Sequence, residues 1–104
     1  MGVESRLIRI CNVEHEAGLC WWARLSDDTP EGDRVDSAHR STLRLFEDER
    51  ELGPGHSIHD EIRKNGGGRF SHWGRALYFS TSDGSDPLTN GRRYTALFET
   101  PARN

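Results

Sequence analysis

Apolar and polar residues alternate with a period of two in several short stretches, and that period predicts β-strands. In residues 18–25, GLCWWARL, the side chains of Leu19, Trp21, Ala23 and Leu25 alternate with Cys20, Trp22 and Arg24. Residues 6–13, RLIRICNV, predict a strand before it, with the polar NVEHEAG as a hairpin connection. A third strand is predicted at 42–47, followed by a turn near 48–50 and a short return around Leu52. Gly53, Pro54 and Gly55 stop any regular element there. RALYFSTS (75–82) and RYTALFET (93–100) predict the last two strands. Between them, Asp83-Gly84 and Asn90-Gly91 favour left-handed backbone in a turn-rich connection.

The period changes once. In HSIHDEIRKN, Ile58 and Ile62 stand four apart on one narrow face, which predicts a helix of about two turns over 57–65. Ser57 is placed to cap it, with Asp60 three residues later as in a capping box. Arg63 and Lys64 suit its C-terminal end, and Asn65-Gly66 supplies a left-handed exit. Residues 26–41, SDDTPEGDRVDSAHRS, have no period and many acids, so a long exposed acidic loop is expected. The acids could suggest calcium; a solvated loop explains them as well. One domain over 1–104 is expected. Its fold class is mainly β, a small antiparallel β-sandwich or partly open barrel of five to six strands with one short helix.

Composition narrows the function classes. Apolar residues are 33% of the chain and charged residues 30%, so the core must be small and must lean on its three Trp, four Phe and two Tyr. The formal net charge of −3 disfavours a general nucleic-acid binder, which would carry a basic surface. Lys64 is the only lysine among 14 basic residues, a bias that either base composition or bidentate arginine contacts could produce. No apolar run is long enough to span a membrane, and the N-terminal stretch has no signal-peptide core. Cys11 and Cys20 lack metal-type spacing, so reduced thiols and a cytoplasmic location are expected.

Candidate chemistry concentrates in the second half. His56, His59 and His72 could form an open zinc site, but no H-E-x-x-H or cysteine cluster supports one, and no cofactor is expected. Ser71 beside His72 does not amount to a catalytic pair, and Asp83 and Asp86 are more simply turn formers than a glycosidase dyad. Gly66-Gly67-Gly68 leaves a helix and has no G-K-[ST], which excludes a triphosphate loop. Trp73 sits in a polar stretch, followed by Ser80, Thr81, Ser82, Asp83, Ser85, Asp86, Thr89 and Asn90, and then Arg92 and Arg93. A ring that stacks on the apolar face of a sugar, flanked by groups that bond its hydroxyls, is the physics of carbohydrate recognition. The candidate ligand-binding set is therefore Trp73, Arg69, His72, Asp83, Asp86, Asn90, Arg92, Arg93 and Tyr94. The plainer alternative packs Trp73 under the glycine turn while the loop satisfies its own backbone.

The run LGPGHSIHDEIRKNGGGRFSHWGRALYFSTSDGSDPLTNGRRY, residues 52–94, resembles a small β-rich accessory module associated with bacterial surface-glycan glycosyltransferases and methyltransferases. The resemblance covers under half of the chain and carries over no catalytic residue. It implies a noncatalytic β-domain that binds a glycan or sugar-linked ligand beside such an enzyme. Two other classes stay open: a small metal-dependent or acid/base enzyme built on His56, His59, His72 and Asp83, and a protein-interaction scaffold with Trp21 or Trp22 exposed.

Overall fold

A computed structural model describes residues 3–101 as eight strands and one helix. In chain order these are β1 (Val3–Arg9), β2 (Glu14–Ala17), β3 (Cys20–Arg24), β4 (Arg44–Glu47), β5 (Arg50–Glu51), α1 (His59–Asn65), β6 (Phe70–Trp73), β7 (Ala76–Phe79) and β8 (Tyr94–Pro101). They form two antiparallel four-stranded sheets, ordered β1-β8-β4-β5 and β2-β3-β7-β6. The mainly β class expected from the alternation is what the chain adopts, with more strands than the five or six counted from sequence.

The two sheets share one core. Leu45, Tyr94, Ala96 and Phe98 from the first meet Ala23, Leu77, Phe79 and Phe70 from the second, with Ile10, Leu25, Leu43 and Leu52 closing the ends. Trp21 packs against this cluster, so the predicted Trp21/Ala23/Leu25 face is the inward one. Leu19 instead sits in the β2–β3 turn, where its side chain packs against Gly66 and Gly84.

The other face of the second sheet carries α1, which lies against β3, β6 and β7. Ile62 and Cys20 are fully buried outside the main cluster, and the His59 ring stands 4.2 Å from that of Tyr78. Burial on both faces explains why β6 escaped sequence reading. Phe70, Ser71 and His72 are all buried, so FSHW shows no alternation.

Pairing corrects the first hairpin. β1 pairs with β8 across nearly the whole chain, Val3 opposite Pro101 and Arg9 opposite Thr95. The polar NVEHEAG, expected to be only a connection, supplies β2, and the hairpin joins β2 to β3 through Gly18 and Leu19. Gly18 is required there: its φ is +54°, and a Cβ would lie 2.5 Å from the Arg63 carbonyl oxygen.

The helix also starts later than predicted. Ile58 occupies the N-cap with no side-chain hydrogen bond, and Ser57 Oγ donates to the Pro54 carbonyl at 2.8 Å. Ser57 thus closes the preceding turn, and the capping box does not form. Ile58 is 65% exposed while Ile62 is fully buried, so the expected two-isoleucine face is split.

Ile62→Ala should therefore cost ~2–5 kcal/mol of stability through the cavity it leaves. Ile58→Ala should stay within ~0.5 kcal/mol of wild type. Urea denaturation of the two variants checks this; equal losses would mean that both isoleucines are packed.

Candidate functional site

The hairpin between β6 and β7 turns at Gly74 and Arg75, so Trp73 lies at one end of the second sheet and Ser80 at the other. Ser71 and Trp73 point away from the core, because Phe70 and His72 point into it: Phe70 joins the main cluster and the His72 ring meets Phe98 edge-on at 5.6 Å. Beside Trp73 opens a cleft of about 330 Å³, walled by Ile58, His39, His56 and His59 and floored by Asp33 and Ser71. Its wall is largely a set of rings. His59 meets Trp73 edge-on at 6.5 Å, and His39 stands 4.8 Å from His56. Trp73 is 39% exposed, which leaves part of its surface open to solvent.

Asp33 holds this end of the molecule together. Most of the 26–41 segment is exposed, as expected, but Thr29, Gly32 and Asp33 are buried. The chain passes so close to β6 that a Cβ on Gly32 would lie 2.1 Å from the His72 carbonyl oxygen. The Asp33 amide donates to that carbonyl at 2.6 Å, and the Asp33 carbonyl accepts from Gly74 at 3.1 Å, forming a parallel bridge to Trp73. The carboxylate then accepts from the Ser41 amide at 2.8 Å through Oδ1 and pairs through Oδ2 with His56 Nδ1 at 2.5 Å. His56 itself adopts φ +54°, uncommon for a residue other than glycine.

Titration separates the histidines. Burial pushes the His72 imidazole down to about 4, so it is neutral at physiological pH. Its Nδ1 shares a 2.7 Å hydrogen bond with Ser41 Oγ, and its Nε2 is buried without a partner. Burial, then the nearby Arg63 charge, also lowers His59. His56, His59 and His72 do not converge: they face Asp33, Tyr78 and the core respectively. Among the described residues no three His, Cys, Asp or Glu side chains are placed to hold a metal.

The rest of the expected ligand set lies elsewhere. Asp83 takes both guanidinium nitrogens of Arg92, at 2.9 and 2.8 Å, together with the Ser85 amide and hydroxyl. The Arg92 bonds chiefly hold its carboxyl far below the usual carboxylate range. Asp86 accepts from the Leu88 amide in a local turn. Asn90 donates to the Tyr94 hydroxyl at 2.9 Å, and Tyr94 donates to Glu47 at 2.7 Å. The Arg93 amide donates to Asp48, and the Arg69 guanidinium donates to the Gly66 carbonyl. Trp73 therefore shares no cleft with residues 83–93; Arg92, Arg93 and Tyr94 instead line a separate cleft of about 780 Å³ with Arg9, Asp48 and Leu88. Asp83 is likewise apart from the three histidines. Trp21 and Trp22 are half-buried, Trp21 against the core and Trp22 stacked on Tyr78 at 6.4 Å.

Sequence reasoning missed Asp33, Ser41 and His39. Asp33 and His39 sit in the aperiodic loop and Ser41 at its end, and only the close packing around Gly-Asp at 32–33 marks the place where the loop turns inward. No family model, curated protein or solved structure matches the chain. Among the described residues no helix is long and apolar enough to cross a membrane.

His72 predicts a pH dependence. Its folded value of about 4 lies below the ordinary ~6.5, so the unfolded chain binds the proton first. The stability from its neutral form is present above ~6.5 and is lost as pH falls toward about 4; His59, lowered by burial, adds the same sign. Denaturation midpoints measured across that window should fall with pH, and His72→Phe should flatten the fall. An unchanged slope in the variant would mean that His72 is not the group responsible.

Proposed function

We propose that the chain is a noncatalytic recognition module whose ligand is a sugar or a sugar-linked group bound in the Trp73 cleft. The observation that carries this reading is the partly exposed Trp73 ring standing in a cleft of about 330 Å³. Such a space suits one pyranose unit, near the lower end of ligand-site volumes. The ring offers a flat apolar surface to the C–H face of the sugar. Around it, His39, His56, Ser57, His59 and Ser71 offer ring nitrogens and hydroxyls to sugar hydroxyls. This hydroxyl-bonding set replaces Asp83, Asp86 and Asn90, which lie at the other end of the sheet. The resemblance of residues 52–94 adds the partner: a bacterial surface-glycan glycosyltransferase or methyltransferase in the cytoplasm.

One observation favours acid/base chemistry as a second reading. A buried carboxylate holding an imidazole at 2.5 Å beside a cleft is the arrangement of an oriented general base. The carboxylate would be Asp33, not Asp83. Turnover of a bound sugar derivative, lost in His56→Gln, would favour this reading over binding alone.

Trp73→Ala should weaken glycan binding at least tenfold, since ring stacking and burial contribute on the order of 1–3 kcal/mol. Because the ring is partly exposed, the melting temperature should fall only by a few degrees. A glycan array that includes uronic and phosphorylated sugars, run beside thermal melts, checks both. Wild-type protein that binds nothing, with a Trp73 variant that unfolds, would sink the proposal.

A further inference from the structure

We infer that Asp33 locks His56 into one tautomer, so that the Trp73 cleft selects a ligand presenting a hydroxyl hydrogen to His56 Nε2. The inference rests on the sugar-binding reading and names the feature of the ligand that the cleft reads.

The argument starts from what each atom can do. An ionised carboxylate only accepts hydrogen bonds. Asp33 is almost fully buried, and its oxygens face the Ser41 amide at 2.8 Å and His56 Nδ1 at 2.5 Å. With Asp33 accepting as a carboxylate, the hydrogen between it and His56 resides on Nδ1. In the neutral imidazole the other nitrogen is then a bare acceptor. The His56 side chain is 32% exposed and lines the cleft, and its recorded hydrogen bond uses Nδ1, so Nε2 is the nitrogen open to a partner.

Two further observations show how firmly this orientation is held. The Asp33 backbone is tied to the β6 hairpin by its amide to His72 and its carbonyl to Gly74, and its Oδ1 is held by the Ser41 amide, which fixes the carboxylate beside the ring. His56 keeps a left-handed backbone that a non-glycine residue adopts only at a cost. The ring it presents is packed against His39 on one side, at 4.8 Å between centroids. A free hydroxyl satisfies Nε2, whereas a methyl ether at the same place offers no hydrogen and leaves the acceptor unpaired.

Asp33→Asn inverts the arrangement with little change of shape. The asparagine carbonyl can keep the Ser41 amide while its NH₂ donates to His56 Nδ1, which moves the ring hydrogen to Nε2. The experiment titrates wild type and Asp33→Asn, at a pH where the ¹⁵N shifts show the His56 ring neutral, with methyl glycosides of neutral hexoses and with each mono-O-methyl ether. Histidine ¹⁵N NMR, assigned with His56→Gln, reads the tautomer directly. Wild type should show Nδ1–H at His56 and should lose about tenfold or more in affinity for one ether of a glycoside that it binds. Asp33→Asn should show Nε2–H and lose that discrimination.

An Nε2–H tautomer in wild type, or equal affinity of wild type for a bound glycoside and all its ethers, would overturn the inference and leave the sugar reading standing. Undiminished discrimination in a folded Asp33→Asn with a shifted tautomer would overturn it too. Wild type that binds no glycoside of any kind would overturn the sugar reading, and the ligand class named here with it. If Asp33→Asn does not fold, the wild-type tautomer and its ether discrimination still decide the matter.

Discussion

Most of the cleft end depends on one buried carboxylate. Asp33 bonds to three segments at once, the end of the acidic loop, the turn that carries His56 and the end of β6, and reinforces backbone bonds that already join that turn and that loop to the β6 hairpin. Burying a carboxylate is costly unless it is paired and hydrogen-bonded, and here one oxygen takes a backbone amide and the other an imidazole. The same amide belongs to Ser41, whose hydroxyl bonds the buried His72. One aspartate and one serine thus place two histidines, one facing the core and one facing the cleft.

The opposite end is organised by a second buried carboxylate. Glu47 receives the Ser82 amide and hydroxyl and the Tyr94 hydroxyl, with Arg92 at 3.5 Å. Burial alone pushes its carboxyl up, but these hydrogen bonds outweigh that and leave it lowered. The network closes the long β7–β8 connection onto the first sheet. Within residues 83–92, Asp83 is bonded to Arg92 and Ser85, and Asn90 to Tyr94, which makes this segment a structural clasp. Trp73, in contrast, lies at the other end of the second sheet and keeps part of its ring open to solvent.

The contrast between the two ends bears on how polar residues are read from sequence. Asp83, Asn90 and Arg92 cluster within ten positions, which looks like a ligand-reading loop. Proximity in sequence also lets them satisfy each other, and that is what they do. Asp33 stands 23 residues from His56 in an unpatterned loop, yet the two make a short hydrogen bond beside the cleft. Here the local density of polar groups forms turns, while the Asp33–His56 contact needs the chain to return from afar.

The sequence by itself determined the mainly β class, strands within or overlapping the predicted 18–25, 42–47, 75–82 and 93–100, and a short helix ending at Asn65, because period-two alternation and turn residues act over a few neighbours. The polar surroundings of Trp73 left open whether it packs under the glycine turn, and the structure leaves its ring 39% exposed. Only the tertiary structure decided that β1 pairs with β8, that NVEHEAG is partly a strand, and that β6 lies buried on both faces. Only the tertiary structure, too, brought Asp33 under His56 and sent residues 83–92 to the far end of the sheet. Those outcomes turn on which edges meet and which charges can be buried together. Such choices are made between segments tens of residues apart, where no local pattern in the chain records them.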